Sequence, residues 1–447
     1  MYSKIIIAAR GEIALRIMRA CRELGIATVA VHSESDRDSL HVKLADEDVC
    51  IGPAQPIESY LNIPRIIAAA EITHADAIHP GYGFLAESAH FAEICKSCDI
   101  DWIGPDPAVM ERMGDKALAR RLMSEAGIPI IPGSAGVVGD EAEAKRYAAQ
   151  IGYPVMVKAT AGGGGRGIRI VRDDTQLNAI IHTAGKEAEI SFGSGGLYIE
   201  KYLESPRHIE VQIFGDGRGT VIHLGERECS IQRRHQKIIE ESPSPGIDGG
   251  TRSRVLEYAV RGARHICYGS LGTMEFLVTR AGEIFFLEMN TRVQVEHPVT
   301  EMVTGFDLIK EQIRLAADGA SPLFGVEVLF RGHAIECRIN AEDPQNKFKP
   351  TPGTVTFYHP PGGPGVRVDS HLYDGYIVPP YYDSLLAKII TWGDTREEAR
   401  SRMVRSLEEC VIDGITTTIP FLLSIMQNDA FVAGTFDTSF VEETFSA

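Results

Sequence analysis

The segment from Glu288 to Glu301 has the sequence EMNTRVQVEHPVTE and follows the apolar run IFFL at residues 284–287. The apolar run predicts a buried strand, and side chains two apart on a strand share a face, so Glu288 and Asn290 point the same way. If the extended path continues, the row gains Arg292, Gln294 and Glu296. Buried charges are unfavourable by several kcal/mol unless they are paired or hold a metal. The row therefore predicts a site for a divalent cation and an anionic substrate.

Size and charge limit the kinds of function that are open. The chain has 447 residues, 44% hydrophobic and 24% charged, which is enough for two or three domains with a large core. Its 45 Lys and Arg residues against 61 Asp and Glu residues give a formal charge of −16. This acidic balance argues against a general nucleic-acid surface. A basic cluster such as residues 233–237 then indicates a local anionic site.

The sequence gives no sign of export or membrane insertion. Residues 1–9 contain one Lys and an apolar run too short for a signal peptide. No run reaches the roughly 18 apolar residues that a membrane helix needs. The eight cysteines are scattered, and the pair Cys95 and Cys98 has no two further zinc ligands at a matching spacing. We expect a cytoplasmic protein with reduced thiols and neither a membrane nor a nucleic-acid partner.

The first part of the chain alternates strand and helix. Residues 5–9 and 27–31 are apolar runs typical of buried parallel strands. Between them apolar residues recur at helical spacing until Gly25, which completes a βαβ unit. The alternation continues to about residue 105 and predicts an open α/β domain. Its first turn, Arg10-Gly11-Glu12, lacks GxGxxG, so the fold is Rossmann-like without an indicated dinucleotide site.

The pattern changes after Asp115. Residues 116–126 predict a helix, and an insert-like region with a glycine run follows. After about Phe330 the chain turns to short strands and to Pro/Gly turns such as residues 360–365. This texture predicts a final α+β domain that ends in a helix at residues 396–409.

The glycine run is the second strong signal. Residues 154–169 have the sequence PVMVKATAGGGGRGIR, in which a strand ends in Lys158, a glycine loop follows and a new strand begins at residue 168. Glycines let backbone N–H groups approach phosphate oxygens, and a lysine adds a point charge for phosphate. No Lys-Ser or Lys-Thr pair follows the glycines, so this is not a Walker A loop. A flexible hairpin loop without a ligand is the alternative.

Two further stretches are weak signals by themselves. Lys116 is a candidate second phosphate lysine, although alone it is a solvated helix residue. The segment from Glu200 to Leu203 closes a strand at residues 197–199. It is a candidate linker whose backbone contacts an adenine edge.

The segment from Arg227 to Lys237, RECSIQRRHQK, is too polar for a core element. A solvated basic face is the usual explanation of such a run. The chain is acidic overall and has a predicted cation site elsewhere, so a pocket for an anion explains this basic run better. Glu275 lies in an apolar strand that can pair with the Glu288 strand, and together with Asn290 these glutamates offer hard oxygen ligands for Mg²⁺ that bridges nucleotide phosphates. A pair of capped or salt-bridged glutamates is the alternative.

Taken together, these motifs resemble those of the biotin carboxylases of the ATP-grasp superfamily. The match is collinear and covers essentially the whole chain, which makes it far more specific than one glycine loop. It includes the glycine run and the stretches Arg10–Ala14, His79–Leu85, Met113–Lys116, Arg233–Lys237, Glu288–Glu301, Arg331–Glu342 and Pro379–Ser384.

The resemblance implies a three-part fold of α/β and α+β class. It predicts a Rossmann-like N-terminal domain at residues 1–114 and a central ATP-grasp domain at residues 115–330, with a mobile lid at about residues 131–203. A C-terminal α+β biotin carboxylase domain would occupy residues 331–447.

The resemblance also implies an ATP site that holds Mg²⁺ or Mn²⁺, as two ions by our expectation. Lys116 and Lys158 would contact the phosphates. The lid loop would consist of Gly162, Gly163, Gly164, Gly165, Arg166 and Gly167. The adenine linker would use Glu200, Lys201 and Leu203, and the ribose and phosphates would lie near His208, Gln232 and His235. The metal ligands, of which the glutamates also face ATP, would be Glu275, Glu288 and Asn290.

For the reaction, the resemblance implies a bicarbonate pocket of Lys237, Arg292 and the backbone around Gln294 and Val295. Glu296 would be the general base. Bicarbonate is a weak nucleophile, so fixed cations and a nearby carboxylate should align it and take its proton. Attack on the γ-phosphoryl group would give carboxyphosphate.

The resemblance places biotin beside the same pocket. Carboxyphosphate would break down to CO₂ and phosphate, and phosphate could deprotonate biotin N1. Arg338 would hold the enolate-like ureido oxygen, and Tyr82 and Gly83 would lie beside that ring. The implied catalytic set is therefore Glu296, Arg292, Lys237 and Arg338.

Two positions depart from the family pattern. Ala9 stands where the family usually has Asn, and Ala161 heads the glycine run where many members have Gly. The first departure affects local hydrogen bonding at the first turn, and the second leaves four consecutive glycines for a lid. Neither is a proposed catalytic position.

The partners follow from what the sequence lacks. No lysine lies in the Met-Lys-Met setting that carries biotin in the family's carrier domains, and no carboxyltransferase-sized extension follows Ala447. We therefore expect biotin to arrive on a separate biotin carboxyl carrier protein and to serve carboxyltransferase subunits. The leading hypothesis is the biotin carboxylase subunit of acetyl-CoA carboxylase, in malonyl-CoA formation and fatty acid synthesis.

Other hypotheses remain open at this stage. The same half-reaction could serve a pyruvate or other acyl-CoA carboxylase. A carbamoyl-phosphate synthetase-like ligase is a more distant enzyme, against which Arg338 and the Tyr82 loop argue. A nucleotide-binding regulatory protein with an inactive ATP-grasp is disfavoured because all the proposed charged groups are present. Related bacterial subunits are commonly homodimers, and Arg19 with Glu23 forms an i,i+4 pair that could face a partner.

Overall fold

A computed structural model of the chain describes residues 1–134, 136–138, 140–159, 168–177, 179–181, 183 and 197–445. The predicted glycine loop, Gly162, Gly163, Gly164, Gly165, Arg166 and Gly167, lies outside the described residues, as does Ala161. None of the helices within these ranges has the length and apolar character needed to span a bilayer.

The N-terminal part is a five-stranded parallel sheet with helices on both faces. Its strands are β1 (Lys4–Ile7), β2 (Ala27–Ser33), β3 (Glu47–Gly52), β4 (Ala77–His79) and β5 (Asp101–Trp102), in the order β3-β2-β1-β4-β5. The helices are α1 (Gly11–Glu23), α2 (Leu40–Leu44), α3 (Ile63–Thr73), α4 (Ala89–Ser97) and α5 (Pro107–Gly114), with single 3₁₀ turns at Glu34–Asp36 and Pro56–Glu58. Ile5 and Ile7 join one hydrophobic cluster and Ile6 another. Both faces are therefore covered, as predicted for a buried parallel sheet.

A second, smaller unit follows. Helix α6 (Lys116–Glu125) leads into it but packs on the large sheet described below, through Ala119 and Met123. Within the described residues the unit contains helix α7 (Glu141–Ile151) and the strands β6 (Val155–Ala159), β7 (Ile168–Val171) and β8 (Leu197–Lys201). Helix α6 begins where predicted because the Asp115 carboxylate accepts hydrogen bonds from the N–H groups of Ala117 and Leu118. The three strands form an antiparallel sheet in the order β7-β6-β8.

A large antiparallel sheet occupies the middle of the molecule. Its first five strands are β9 (Arg207–Asp216), β10 (Val221–Arg233), β11 (Gln236–Ser242), β12 (Gly269–Val278) and β13 (Ile284–Asn290). Helix α8 (Gly249–His265) covers one face, where Val255 and Ala259 pack with Ile209, Val211 and Phe276. Helices α9 (His297–Thr304) and α10 (Leu308–Asp318) follow, with a 3₁₀ turn at Pro322–Gly325.

The C-terminal part extends the same sheet. Its strands are β14 (His333–Asn340), β15 (Glu342–Asp343), β16 (Lys349–Pro350), β17 (Gly353–Thr354), β18 (Phe357–His359), β19 (Val366–Ser370), β20 (Ile377–Val378), β21 (Leu385–Gly393) and β22 (Val411–Asp413), with a 3₁₀ turn at Pro344–Asn346. The large sheet has the order β13-β12-β9-β10-β11-β14-β21-β19, and the remaining short strands form three two-stranded pairs. The helices are α11 (Arg396–Glu409), α12 (Ile419–Met426), α13 (Asp429–Ala433) and α14 (Phe440–Phe445). Helix α11 has the predicted bounds, but the prediction that the domain ends there was wrong, because the apolar residues of the last three helices pack onto the same core.

The extended row predicted beyond Asn290 does not form. Strand β13 ends at Asn290, and a loop leads to α9, which begins at His297. The loop turns because Gln294 O accepts a hydrogen bond from the His297 N–H at 3.3 Å and contacts the His297 ring at 2.8 Å. Residues 291–296 nevertheless return to the polar face of the sheet, as the contacts below show.

Candidate active site

Three acidic side chains form a row across neighbouring strands. Glu275 on β12 lies directly opposite Glu210 on β9 and opposite Glu288 on β13. Directly opposite residues of an antiparallel pair have their side chains on the same face. The predicted pairing of the Glu275 and Glu288 strands is thus confirmed. Like charges in this arrangement repel, so the row requires compensating cations.

Lys237 on β11 supplies one of these cations. Its Nζ donates to Glu275 Oε1 at 2.8 Å, to Glu296 Oε1 at 2.7 Å and to Glu210 Oε2. Burial acts to lower the pKa of Lys237, but the charges of Glu210, Glu275 and Glu296 outweigh it and raise that pKa well above its usual value. Lys237 is therefore a fixed cation that connects the acidic row to the loop before α9.

Glu296 lies between two cations. Its Oε1 accepts from Lys237, and its Oε2 accepts from Arg338 Nη2 at 2.9 Å. Burial acts to raise the pKa of Glu296, but Lys237 and then Arg338 hold it well below its usual range. The carboxylate is consequently ionised at neutral pH and able to accept a proton once a substrate separates it from its cations.

Arg338 also pairs with Glu240, which the sequence analysis did not single out. Glu240 is fully buried on β11. Burial raises its pKa to about 7, although Arg338 acts to lower that pKa and Glu296 acts to raise it. Arg338 thus contacts two carboxylates that differ in protonation at neutral pH. Glu296 is ionised, and the pKa of Glu240 is close to neutral pH.

The predicted metal ligands provide an all-oxygen donor set. Asn290 Nδ2 and Gln294 Nε2 both donate to Glu275 Oε1 at 2.8 Å. Glu288 is the most open of the group, with 42% of its side chain exposed, and burial together with the Glu275 charge raises its pKa. Two carboxylates and the Asn290 amide oxygen, which here accepts from Arg292, are hard donors, so these residue types fit Mg²⁺ or Mn²⁺. His208 lies beside this donor set, since its Nε2 is 2.9 Å from Glu275 Oε2.

The two predicted phosphate lysines pair with different glutamates, one on the acidic row and one on the small sheet. Lys116 Nζ at the start of α6 is 3.6 Å from Glu288 Oε2 and is largely exposed. Lys158 on β6 donates to Glu200 Oε2 on β8, and Arg120 pairs with the other oxygen of the same buried carboxylate. Glu200 is therefore already neutralised by two cations.

The other predicted ATP-contacting residues are placed as follows. Lys201 Nζ donates to the carbonyl groups of Gly152 and Tyr153 at 2.9 and 3.1 Å, a structural contact. Leu203 lies just beyond the end of β8. Gln232 Nε2 lies 2.9 Å from His208 Nδ1, so these two predictions are brought together. His235 is exposed in the β10–β11 turn, with a φ of 64°.

The predicted biotin and bicarbonate residues meet from different parts of the chain. Arg292 Nη2 donates to Asn290 Oδ1 at 3.1 Å, and its Nε lies 3.3 Å from Glu87 Oε2. The Tyr82 hydroxyl donates to Glu12, and Gly83 is exposed beside it with a φ of 75°. Val295 O accepts from Lys388 at 2.7 Å.

Comparison with known proteins agrees with this arrangement. The chain matches the family descriptions "Biotin carboxylase, N-terminal domain" over residues 1–110, "Carbamoyl-phosphate synthase L chain, ATP binding domain" over residues 115–322 and "Biotin carboxylase C-terminal domain" over residues 336–443. It is 58% identical over 442 residues to a biotin carboxylase of Nostoc sp., covering 99% of each chain. The chain belongs to the biotin carboxylase family.

Other biotin carboxylases and related proteins are also similar. A pyruvate carboxylase subunit of Methanothermobacter thermautotrophicus is 53% identical over 443 residues, which is 99% of this chain and 90% of that protein. The crystal structure of a biotin carboxylase–beta-gamma-ATP complex from Campylobacter jejuni has a TM-score of 0.93 at 49% identity, covering 99% of each chain.

A second solved structure is the biotin carboxylase domain dimer of Hydrogenobacter thermophilus 2-oxoglutarate carboxylase, in complex with MgADP, ADP and bicarbonate. Its TM-score is 0.91 at 50% identity, covering 99% of this chain and 98% of that one. The predicted biotin carboxylase fold and the identification as an ATP-grasp enzyme are confirmed. The carbamoyl-phosphate synthetase-like and regulatory alternatives are set aside.

One prediction about the polar segment from Arg227 to Lys237 was wrong. Residues 227–232 form a buried part of β10, not an element outside the core. The reason is that Arg227, which is fully buried, has an acceptor for each donor group it presents. Its partners are Glu210, Gln212 (2.7 Å), Gln294 (2.8 Å), Thr300 (3.0 Å) and Thr273 (3.1 Å).

Glu210 is a site residue that the sequence analysis missed in this biotin carboxylase. Its two oxygens accept from Arg227 and Lys237, so it holds the pocket lysine and the buried Arg227 in place. A signal was present in β9, where the polar residues His208, Glu210 and Gln212 alternate with Ile209, Val211 and Ile213. Such a period of two places all three polar side chains on one face.

The pair predicted between Arg19 and Glu23 is replaced by other contacts. Glu23 pairs with Lys310 on α10, and Arg19 Nη1 lies 3.9 Å from Asp369 on β19. The residues on α1 thus contact two other elements of the same chain, and Arg19 stays half exposed.

Proposed function

We propose that the chain catalyses the ATP-dependent carboxylation of biotin with bicarbonate through carboxyphosphate. The observation that carries this proposal is the position of Glu296, whose two carboxylate oxygens are held by Lys237 and Arg338 beside the acidic row. A small anion that enters between these groups meets two fixed cations and one base. Bicarbonate is such an anion.

Nucleotide binding is proposed for the open side of the same row. Glu275, Glu288 and Asn290 would hold Mg²⁺ or Mn²⁺, as two ions by our expectation, and the metal would neutralise charge on the phosphates. Lys116 and Lys158 would contact the phosphates, and the adenine linker would be the segment from Glu200 to Leu203. The N–H groups of Lys201 and Tyr202 donate to the carbonyls of Pro132 and Pro154. Within the described residues, this leaves the Leu203 N–H for the adenine edge.

The base strength of Glu296 would depend on substrate binding. Lys237 and Arg338 depress its pKa in the free enzyme, so it is a weak base there. A bicarbonate bound between Lys237 and Arg292 would take over the hydrogen bond that Lys237 donates to Glu296, which would weaken this stabilisation and raise the pKa of Glu296. The carboxylate would then remove the bicarbonate proton as an oxygen of bicarbonate attacks the γ-phosphorus and ADP leaves. This mechanism generates the base only when its substrate is present.

Carboxylation of biotin would follow in the same pocket. Carboxyphosphate would break its C–O bond to give CO₂ and phosphate, and phosphate would take the N1 proton of biotin as N1 attacks CO₂. Arg338 would stabilise the negative charge on the ureido oxygen. Tyr82 and Gly83 would form the wall beside the biotin ring.

For the acceptor, we propose acetyl-CoA and thus a role in malonyl-CoA formation and fatty acid synthesis. A pyruvate or other acyl-CoA carboxylase is the second candidate, because similar chains come from a pyruvate carboxylase and from a 2-oxoglutarate carboxylase. Biotin would arrive on a carrier protein, carboxyltransferase subunits would consume the product, and the chain would act as a cytoplasmic homodimer. The candidates are distinguished by combining the chain with the carrier and with each carboxyltransferase in turn. The measurement is which acceptor compound must be present for its carboxylated product to form.

The division into domains at residues 1–114, 115–330 and 331–447, with a lid at about 131–203, remains part of the proposal. The large sheet supports a close association of the last two, since β11 pairs with β14 across the proposed boundary, with Ile239 opposite Cys337.

The experiment that tests the proposed function is the dependence of ATP hydrolysis on bicarbonate and on free biotin. We expect ADP release to require bicarbonate and to rise when biotin is added. ADP release that is indifferent to both compounds would contradict the proposal.

A further inference from the structure

Lys388 on β21 is a buried cation that the reaction described above does not use. Its side chain is fully buried. Strand pairing places it directly opposite Arg338 on β14 and directly opposite Asp369 on β19. A lysine with no exposure needs specific partners to remain charged.

One partner belongs to the loop that carries Glu296. Lys388 Nζ donates to the backbone carbonyl of Val295 at 2.7 Å. Val295 lies between Gln294, which donates to Glu275, and Glu296, which accepts from Lys237 and Arg338. The ammonium group therefore fixes the peptide that joins two residues of the pocket.

The second partner is Glu12 on α1. Glu12 Oε1 lies 3.2 Å from Lys388 Nζ and also accepts a hydrogen bond from the Tyr82 hydroxyl. Burial acts to lower the pKa of Lys388, but the charges of Glu12, Glu336 and Asp369 raise it above its usual value. Lys388 thus stays charged and reaches both walls of the pocket, one through Val295 and the other through Glu12.

We propose that Lys388 is a positioning residue. It holds two loops at a fixed separation: the Glu296 loop, residues 291–296, and the Tyr82 loop, which contains Tyr82 and Gly83. The inference rests on the proposed function, because these loops are the bicarbonate wall and the biotin wall of the pocket. Loss of this connection would let bicarbonate bind in more than one orientation and would let carboxyphosphate break down before biotin is in place. ATP, which binds on the other side of the acidic row, would be little affected.

The test compares Lys388→Met with wild type and with Lys388→Arg, using ATP, bicarbonate and free biotin. For Lys388→Met we expect a KM for bicarbonate about tenfold or more higher, and about fivefold more ADP released per carboxybiotin formed. The KM for ATP should stay within about twofold. Lys388→Arg keeps the charge and should recover part of the bicarbonate affinity.

Lys4→Met is the matched control. Lys4 Nζ also donates to a backbone carbonyl, that of Thr73 at 2.7 Å, and pairs with a carboxylate, that of Glu47 at 2.6 Å, but in the N-terminal sheet. It should lower the melting temperature without changing the KM for bicarbonate or the ratio of ADP to carboxybiotin.

The inference is overturned if folded Lys388→Met keeps the wild-type KM for bicarbonate and the wild-type ratio, or if it shows only a uniform fall in kcat. If Lys388→Met does not fold, Glu12→Gln decides in its place, because it removes the charge that joins Lys388 to Tyr82. For Glu12→Gln, a smaller rise in the KM for bicarbonate and in the ratio of ADP to carboxybiotin supports the inference, and unchanged values of both overturn it. Wild-type ATP hydrolysis without bicarbonate dependence would instead reject the proposed function itself.

Discussion

Glu210 and Glu275 lie directly opposite each other on β9 and β12, and Lys237 donates to both. Two acids in this position would repel one another without the shared cation. The same ammonium reaches Glu296, so the charge balance of the sheet and the position of the proposed base depend on one side chain. This connection between the sheet and the loop before α9 is the basis of the proposed bicarbonate pocket.

Glu296→Gln should abolish most of the bicarbonate-dependent turnover. The amide keeps the size of the side chain but cannot accept the bicarbonate proton, and loss of a general base lowers rates by about 10²–10⁴-fold. Nucleotide affinity, measured by titration with a fluorescent ATP analogue, should stay near the wild-type value. Turnover within tenfold of wild type would show that another group is the base.

Arg338→Gln should separate two steps of the proposed reaction, the cleavage of ATP and the carboxylation of biotin. Arg338 faces the proposed biotin oxygen, so carboxylation of free biotin should fall by about 10²–10³-fold. Bicarbonate-dependent ADP release without biotin should fall much less, since Lys237 still contacts Glu296. Equal losses in the two assays would mean that Arg338 acts mainly on bicarbonate.

Arg227→Lys should destabilise the central sheet although the charge is kept. A lysine cannot reach the five acceptors that surround this buried guanidinium, and unsatisfied buried groups are unfavourable by about 1–3 kcal/mol each. We expect a loss of about 3 kcal/mol in urea unfolding. Arg121→Lys, at an exposed position 3.8 Å from Glu125, is the control and should change stability by less than about 0.5 kcal/mol. Equal stability of the two variants would refute the importance of the Arg227 network.

His371→Gln should reduce the sensitivity of the fold to acid. Burial and the Arg10 charge lower the pKa of His371 to about 3, so the ring is neutral in the folded state and protonated in the unfolded chain below about pH 6.5. Its contribution to stability is present above that pH and is lost as the pH falls towards about 3.

Between about pH 5.5 and pH 4, the free energy of unfolding of His371→Gln should fall less steeply with pH than that of the wild type. The two slopes should differ by about 1.4 kcal/mol per pH unit. Urea titrations of both proteins over this range give the two slopes. Parallel slopes would indicate that His371 is not held neutral in the fold.

Local rules predicted much of the fold. The apolar runs predicted the parallel strands β1 and β2, and the helices predicted at residues 116–126 and 396–409 are present as α6 and α11. The site residues Glu275 and Glu288 were found because each stands in an apolar strand, where a carboxylate needs a partner. These signals are contained in short stretches of sequence.

The missed features depend on pairing between distant segments. Arg227 is buried because Gln294 and Thr300, which are 67 and 73 positions away, bring acceptors to it, so its polar surroundings misled a rule that places polar runs at the surface. Glu240 depends in the same way on Arg338, and Lys388 on Glu12 and Val295. The order of the large sheet, which sets these neighbours, cannot be obtained from any single segment.

The central claim is that bicarbonate attacks the γ-phosphoryl group beside Lys237 and Glu296. It is tested most directly with bicarbonate labelled with ¹⁸O, incubated with ATP and the enzyme for a time too short for exchange of its oxygens with water. The phosphate released should carry one ¹⁸O atom from bicarbonate, because carboxyphosphate breaks at its C–O bond. Phosphate that carries oxygen from water alone would contradict the account.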